Sequence, residues 1–264
     1  MKNIDLIKLS NEKMKDKFWK ATKIAALATF ISIILMYTGV GGIMVLPLSY
    51  GLLKTIVLLK NGQDVKVTDF FKNGMNEFGR IWCTQLLIYL RMLIPYIIAI
   101  ISTFFINRVE NNFINITLMI LNVVMFIFMA YILLKYSLVN FELLNCPEIR
   151  SRDIIKQYNV KIKGNVIKII GMNIYYGVLR IIPSSVLLVL TAFIIKNVIS
   201  SFDNELERVF LGLIFIILII FLLCILSPVV TVLAEMFISP RNISSNDELY
   251  NYITKKNVDE NEIE

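Results

Sequence analysis

The chain has 264 residues, of which 57% are hydrophobic, and its mean hydropathy is +0.70. A soluble domain of this size is about 45–50% apolar, so the composition excludes an ordinary soluble protein and predicts an integral membrane protein. Basic cytoplasmic loops explain the formal net charge of +7 better than binding to nucleic acid does. The chain has no histidine, and Cys83, Cys146 and Cys224 are scattered. We therefore expect no metal site, no structural disulfide and no cofactor.

Long apolar stretches follow a basic cytoplasmic N-terminal segment at residues 1–21. The stretch 24–59 is too long for one span of a hydrocarbon core about 30 Å thick, and Thr38-Gly39-Val40-Gly41-Gly42 predicts a tight turn inside it. We expect an all-α transmembrane domain over residues 22–237. Its six spans are predicted at about 22–39, 43–59, 81–106, 113–134, 169–195 and 209–237.

Residues 238–264 hold six acidic and three basic side chains. This polar composition predicts a disordered cytoplasmic tail, and a short helix at 246–254 is the alternative for that part of it.

Two polar stretches between the spans, near residues 60–80 and 135–168, carry apolar residues at helical spacing. They predict two amphipathic helices at the membrane interface. In the second stretch, Ile154, Ile155, Tyr158 and Ile162 share one helical face. Of the 27 Lys and Arg residues, 22 lie in or beside the N-terminal segment, these two stretches and the tail, whereas three lie in the other loops. The positive-inside rule therefore places both termini and both amphipathic helices in the cytoplasm.

The two polar stretches also resemble each other. Residues 61–73 align with residues 145–157 without a gap at an offset of 84, and Pro95 matches Pro183 at an offset of 88. The four extra residues are about one helical turn, which preserves the helix face. Each unit then contains a span, an inner helix, and a span with Arg and Pro. This pattern favours a parallel internal duplication, and the alternative is a chance likeness of two amphipathic loops.

Two arginines lie inside predicted spans, each shortly before a proline: Arg91 before Pro95 and Arg180 before Pro183. A guanidinium inside a membrane needs a partner or a wet cavity. One hypothesis is a pseudo-symmetric pair that binds an anionic group between the two units. The alternative is structural, with the arginines bonding carbonyls freed by the prolines or pairing with an acidic side chain. The two prolines are candidate helix kinks.

Glu142 and Glu235 are the acidic side chains that we consider as partners for these arginines. Arg91 lies near the middle of the bilayer if its span begins at Ile81, and lies closer to the interface if residues 81–87 are partly outside the core.

Basic side chains on the two amphipathic helices are candidate contacts for anionic lipid or for a membrane-protein partner. They are Lys66, Lys72, Arg150, Arg152 and Lys156. The chain contains no Gly-x-Ser-x-Gly elbow and no P-loop, and we expect Glu142 and Glu148 to be solvated in a basic loop. Catalysis is therefore not predicted, although an intramembrane enzyme stays open as an alternative.

Several short motifs carry a resemblance to a known family. They are Pro47-Leu48-Ser49-Tyr50-Gly51, Asp69-Phe70-Phe71, Leu93-Ile94-Pro95, Tyr136-Ser137, Asn145-Cys146-Pro147-Glu148 and Lys163-Gly164-Asn165. Together they resemble an uncharacterised family of multi-pass membrane proteins of low-GC Gram-positive bacteria, defined by a domain of unknown function. That family is similar to the membrane domain attached to some glycerophosphodiester phosphodiesterases. The resemblance covers roughly residues 20–235 and implies the architecture and a bacterial plasma-membrane location.

This resemblance implies no activity, since a soluble phosphodiesterase domain is not seen in these residues. Our leading hypothesis is a non-catalytic, lipid-associated scaffold or an accessory subunit of a membrane complex. The alternative is a small transporter or permease-like subunit that uses Arg91 and Arg180.

Overall fold

A computed structural model describes residues 1–39, 41–106, 108, 111–200 and 205–261, without the side chains of 195, 198–200, 205–225 and 257–261. Every regular element in the described residues is helical, so the all-α prediction is confirmed. A 3-10 turn at Lys15–Lys17 joins the first two α-helices. The α-helices are α1 (Asn3–Met14), α2 (Phe18–Tyr37), α3 (Gly41–Lys60), α4 (Asp69–Asn76), α5 (Phe78–Phe105), α6 (Asn112–Lys135), α7 (Val139–Asn145), α8 (Ser151–Lys161), α9 (Val166–Ser200) and α10 (Glu205–Asn261).

Five helical runs in the described residues are long and apolar enough to cross a membrane. They are Asn3–Tyr37, Gly41–Lys60, Phe78–Phe105, Asn112–Asn145 and Val166–Ile194, and each contains one predicted span or most of it. The sixth predicted span, 209–237, falls within α10, and its side chains up to 225 lie outside the described residues. The chain is thus a membrane protein with several spanning helices.

The predicted turn between the first two spans is present. The first helix of the pair, α2, ends at Tyr37, and α3 begins at Gly41. Gly39 between them has a φ of +74°, which a glycine adopts without steric strain. α3 then packs closely against α4 through Gly51 and Gly74, because a Cβ on Gly51 would overlap the carbonyl oxygen of Phe70. The first amphipathic helix is therefore attached to the second span by backbone-to-backbone contact.

The second amphipathic helix, α8, buries the face that the sequence predicts. Ile154, Ile155 and Tyr158 are at most 2% exposed, and Ile162 just beyond the helix is also buried. α8 packs against α5 and α7. The guanidinium of Arg80 at the start of α5 donates to the carbonyl oxygen of Cys146 at 2.6 Å, which ties α5 to the turn before α8. A long helix, a short helical part and a proline-containing long helix follow one another twice along the chain. The short part is α4 between α3 and α5, and it is α7 with α8 between α6 and α9.

The prediction of a disordered tail over 238–264 is wrong for the part of it that the structure describes. α10 continues to Asn261, and its last turns pack against α1. Leu249 and Tyr250 are buried in the main apolar core. The physical reason is that Asp247 and Glu248, the acidic side chains of this segment that the structure describes, are paired with lysines of α1 and α3 and are therefore not solvated. Composition alone treats these acids as solvated.

One end of the bundle contains α1, α4, α8 and the last turns of α10. We call it the terminal end. Long-range bonds cross it, such as Lys13 to Glu248 and Lys20 to Asp64. Away from this end, large apolar side chains of α5, α6 and α9 are exposed, for example Ile127 at 64% and Leu188 at 69%. Such surfaces are stable in contact with lipid tails and not with water.

Candidate functional site

A polar cavity of about 360 Å³ lies between α2, α3, α9 and α10, with the turn before α7 at its edge. Its apolar walls come from residues such as Ala28, Leu48 and Phe141. Its polar lining consists of Thr29, Ser32, Ser49, Ser137, Asn140, Asn173, Arg180, Glu235, Ser239, Asn242 and Asn246. This concentration of amides and hydroxyls inside a bundle of apolar helices marks it as the candidate site.

Arg180, one of the two arginines singled out in the sequence, lines this cavity and is paired with Glu235. Nε of Arg180 lies 2.7 Å from Oε1 of Glu235, and its Nη2 donates to Oε2 at 3.3 Å. The Nε–H is not directed at the carboxylate, so the Nε contact is a close ion pair and not a hydrogen bond. The hydroxyl of Ser239 also donates to Glu235 Oε2. The structural alternative for Arg180, pairing with an acidic side chain, is the arrangement present.

Hydrogen bonds along the cavity wall are short and mostly local. Nδ2 of Asn173 donates to the Ser137 hydroxyl at 2.7 Å and to a carbonyl of its own helix at 2.9 Å. The Ser49 hydroxyl donates to the carbonyl oxygen of Val45 at 2.8 Å. Nδ2 of Asn246 donates to Oδ1 of Asn242 at 2.8 Å, whereas Oδ1 of Asn246 is buried without a hydrogen-bond partner. Among the described residues, the wall therefore holds two polar atoms whose hydrogen bonds the protein does not supply, the acceptor Oδ1 of Asn246 and the donor Nε of Arg180.

Arg91 is not among the residues that line this cavity, so the structure does not bring the two arginines into one site. Its guanidinium donates to the hydroxyl of Tyr136 and lies 5.1 Å from the centre of that ring. The same hydroxyl donates to Oδ1 of Asn159 on α8 at 3.0 Å. Arg91 is therefore level with the end of α6, whereas its depth in the bilayer stays a prediction. Neither Glu142 nor Glu235 is its partner in these contacts.

The two candidate kink prolines, Pro95 and Pro183, lie inside α5 and α9, and both helices continue past them. The kinks themselves stay a prediction.

A buried ion-pair cluster at the terminal end was not predicted. The Lys60 side chain is 3% exposed, and its Nζ lies 2.6 Å from Asp247 and 2.5 Å from Glu248. Lys13 reaches the same Glu248 carboxylate at 2.8 Å. Burial raises the pKa of Glu248, but the hydrogen bonds from Lys13 and Lys60 outweigh it and the net pKa is lowered. Lysine at the end of a span is ordinarily expected to snorkel, and no local signal in the sequence distinguishes this one.

Glu142 is not solvated as the sequence suggested, because it is fully buried in α7. Its Oε1 accepts a hydrogen bond from Lys161 at 2.7 Å, and Oε2 accepts one from the hydroxyl of Tyr250. Burial, with the adjacent Glu142 carboxylate, raises the pKa of Tyr250 well above its usual value. This cluster joins α7, α8 and α10. Glu148, in contrast, is exposed as predicted.

The five basic residues proposed as interfacial contacts are all exposed. They are Lys66, Lys72, Arg150, Arg152 and Lys156. Lys156 has a loose ion pair with Asp153 at 3.6 Å, one turn earlier in α8. These cations therefore project from the terminal end, where water or lipid headgroups can reach them.

No group of three or more Cys, Asp and Glu in the described residues has the geometry to hold a metal ion. No family model, curated protein or solved structure matches this chain.

Proposed function

We propose that the chain crosses the plasma membrane six times, with both termini in the cytoplasm. The support is topological: α1 and the last turns of α10 are joined at the terminal end, and this contact fits an even number of crossings. Five runs in the described residues have the length and apolarity of a span, and α10 packs along α2 and α9 on its way back to that end. The repeated order of helices agrees with a parallel duplication.

The function that the geometry supports best is a non-catalytic, lipid-associated scaffold or accessory subunit. One observation carries this proposal: basic side chains of the loop before α4, of α4 and of α8 are exposed at the terminal end, on helices fixed rigidly to the bundle. Cations in such positions gain about 1 kcal/mol each from an anionic membrane surface. Asp247 and Glu248 of the C-terminal helix are paired with lysines inside the protein, so these two carboxylates do not cancel this field.

A permease-like subunit with an anionic site at Arg91 and Arg180 is less well supported. The two guanidinium groups lie in different places, and each already has a partner within the protein. An anion would have to displace Glu235 from Arg180 inside the membrane, which leaves a buried carboxylate without its partner.

The test compares two double variants with the same loss of charge. Lys72→Gln with Arg152→Gln removes two cations from the terminal end, whereas Arg108→Gln with Lys196→Gln removes two exposed cations from the predicted outer loops. Each protein is placed in nanodiscs that contain phosphatidylcholine with increasing phosphatidylglycerol, and the anionic lipid retained per protein is counted by mass spectrometry.

The first double variant should lose about tenfold or more in preference for phosphatidylglycerol, from about 1 kcal/mol per cation, and high salt should remove the preference in the wild type. The second should lose clearly less, because Arg108 and Lys196 are single cations, whereas Lys72 and Arg152 belong to the group of five exposed cations at the terminal end. Equal retention by both variants would contradict the proposal, and so would a preference that salt does not reduce.

A further inference from the structure

We propose that the polar cavity between α2, α3, α9 and α10 binds an uncharged, hydroxyl-rich group. The group is either a free polyol or the sugar-like headgroup of a lipid, and both present the same hydroxyl chemistry. This site is separate from the exposed cations of the terminal end, so its failure would leave the proposed contact with anionic lipid untouched.

The charge of the cavity selects an uncharged ligand. Among the described residues that line it, Arg180 is the only cation and Glu235 is the only anion, and they form an ion pair with each other. A charged ligand would bring an uncompensated charge into a bundle within the membrane, which is unfavourable unless a partner is supplied. An uncharged ligand leaves the ion pair intact.

The hydrogen-bonding state of the lining selects a ligand that can both donate and accept hydrogen bonds. The Ser49 hydroxyl hydrogen is used on Val45, and the Ser239 hydroxyl hydrogen is used on Glu235. Each of these hydroxyl oxygens keeps acceptor capacity. Asn173 uses its amide nitrogen within the protein, and Oδ1 of Asn246 has no partner. Nε of Arg180 is a donor without a hydrogen-bond partner. Hydroxyl groups are uncharged and can both donate and accept, so they complement this wall.

The size of the cavity agrees with a single small group. Sites for small molecules have volumes of about 300–1,000 Å³, and this cavity of about 360 Å³ is at the lower end of that range. Its wall on α3 includes Ser49, which is exposed, so the cavity is open to an entering ligand.

The experiment uses the full chain, purified in a detergent that has no sugar headgroup, because an alkyl glycoside would compete for the site. Binding of radiolabelled myo-inositol and glucose is measured by equilibrium dialysis, with inorganic phosphate as the anionic probe. In parallel, retention of monoglucosyl diacylglycerol from phosphatidylcholine nanodiscs is measured by native mass spectrometry.

The chain offers a matched control for the binding site. Ser49 and Ser185 are both exposed serines whose hydroxyls donate to the carbonyl four residues earlier, at 2.8 Å and 2.6 Å, but only Ser49 lines this cavity. Loss of one hydrogen bond should weaken binding about three- to tenfold in Ser49→Ala. Ser185→Ala should bind as the wild type does.

Binding of the free sugars would identify a soluble polyol as the ligand, and retention of the glucolipid alone would identify a headgroup; either supports the proposal. It is overturned if the wild type binds neither, if phosphate binds more tightly than the sugars, or if both serine variants bind equally. If Ser49→Ala does not fold, the comparison of sugars with phosphate in the wild type still tests whether the cavity prefers an uncharged hydroxyl ligand.

Discussion

Replacing Lys60 with methionine should release the C-terminal helix from the rest of the bundle. The lysine side chain is 3% exposed and neutralises both Asp247 and Glu248. Methionine preserves most of the volume but leaves Asp247 buried without a cationic partner, while Lys13 still reaches Glu248. Removing one partner of a buried ion pair costs about 3–5 kcal/mol. If only the C-terminal helix opens, the equilibrium constant for its opening should rise about a hundredfold to a few thousandfold, because 1.4 kcal/mol is a factor of ten.

Amide hydrogen exchange of residues 242–253, followed by mass spectrometry in detergent, measures this opening directly. Lys20→Met is the matched control, since Lys20 also forms a short ion pair, at 2.7 Å, but with the exposed Asp64. Exposed pairs contribute little to stability, so exchange in this variant should match the wild type. The reasoning is refuted if Lys60→Met exchanges no faster than Lys20→Met. A further variant with Asp247→Leu added to Lys60→Met should recover part of the protection, because the orphaned carboxylate is gone.

Three other results are expected. The pKa of Glu248 is lowered in the folded protein. The stability that this carboxylate contributes is therefore complete above the unfolded carboxyl pKa of about 4.3 and is lost as pH falls through the folded pKa. Amide exchange in the last turns of α10 should become faster on acidification. Gly51→Ala should separate α4 from α3, seen as faster proteolysis within residues 61–77, because its Cβ would overlap the Phe70 carbonyl oxygen. Tyr136→Phe should lower the free energy of unfolding by about 1 kcal/mol or more, since the guanidinium of Arg91 loses its acceptor; a thermal-unfolding midpoint equal to that of the wild type would contradict this.

The membrane class and most of the span positions could be predicted because they depend on local composition. A run of about 20 apolar residues must cover the hydrocarbon core wherever it packs, and the break at Gly39 is read directly from a residue that tolerates positive φ. The buried face of α8 follows equally from helical periodicity. These features need no knowledge of which helices are neighbours.

The pairing of the polar side chains could not be predicted in the same way. Arg91 and Arg180 have matching sequence contexts, yet one lies against Tyr136 and the other pairs with Glu235. This difference depends on which helices flank α5 and α9. From the sequence alone, either arginine could pair with Glu142 or with Glu235. The sequence places Glu142 in a basic loop and predicts a solvated carboxylate, but α10 covers this side chain and Tyr250 donates to it.

The sequence by itself determined that this chain is helical and lies in a membrane, since each depends on the solvent preference of single segments. Only the tertiary structure decided that the acidic C-terminal segment is a packed helix, that Lys60 is buried, and that Arg180 shares a polar cavity with Glu235. The reason is physical: whether a charge is solvated or paired depends on partners that are 55 to 235 residues away in the chain. Composition does not show which of these distant residues become neighbours.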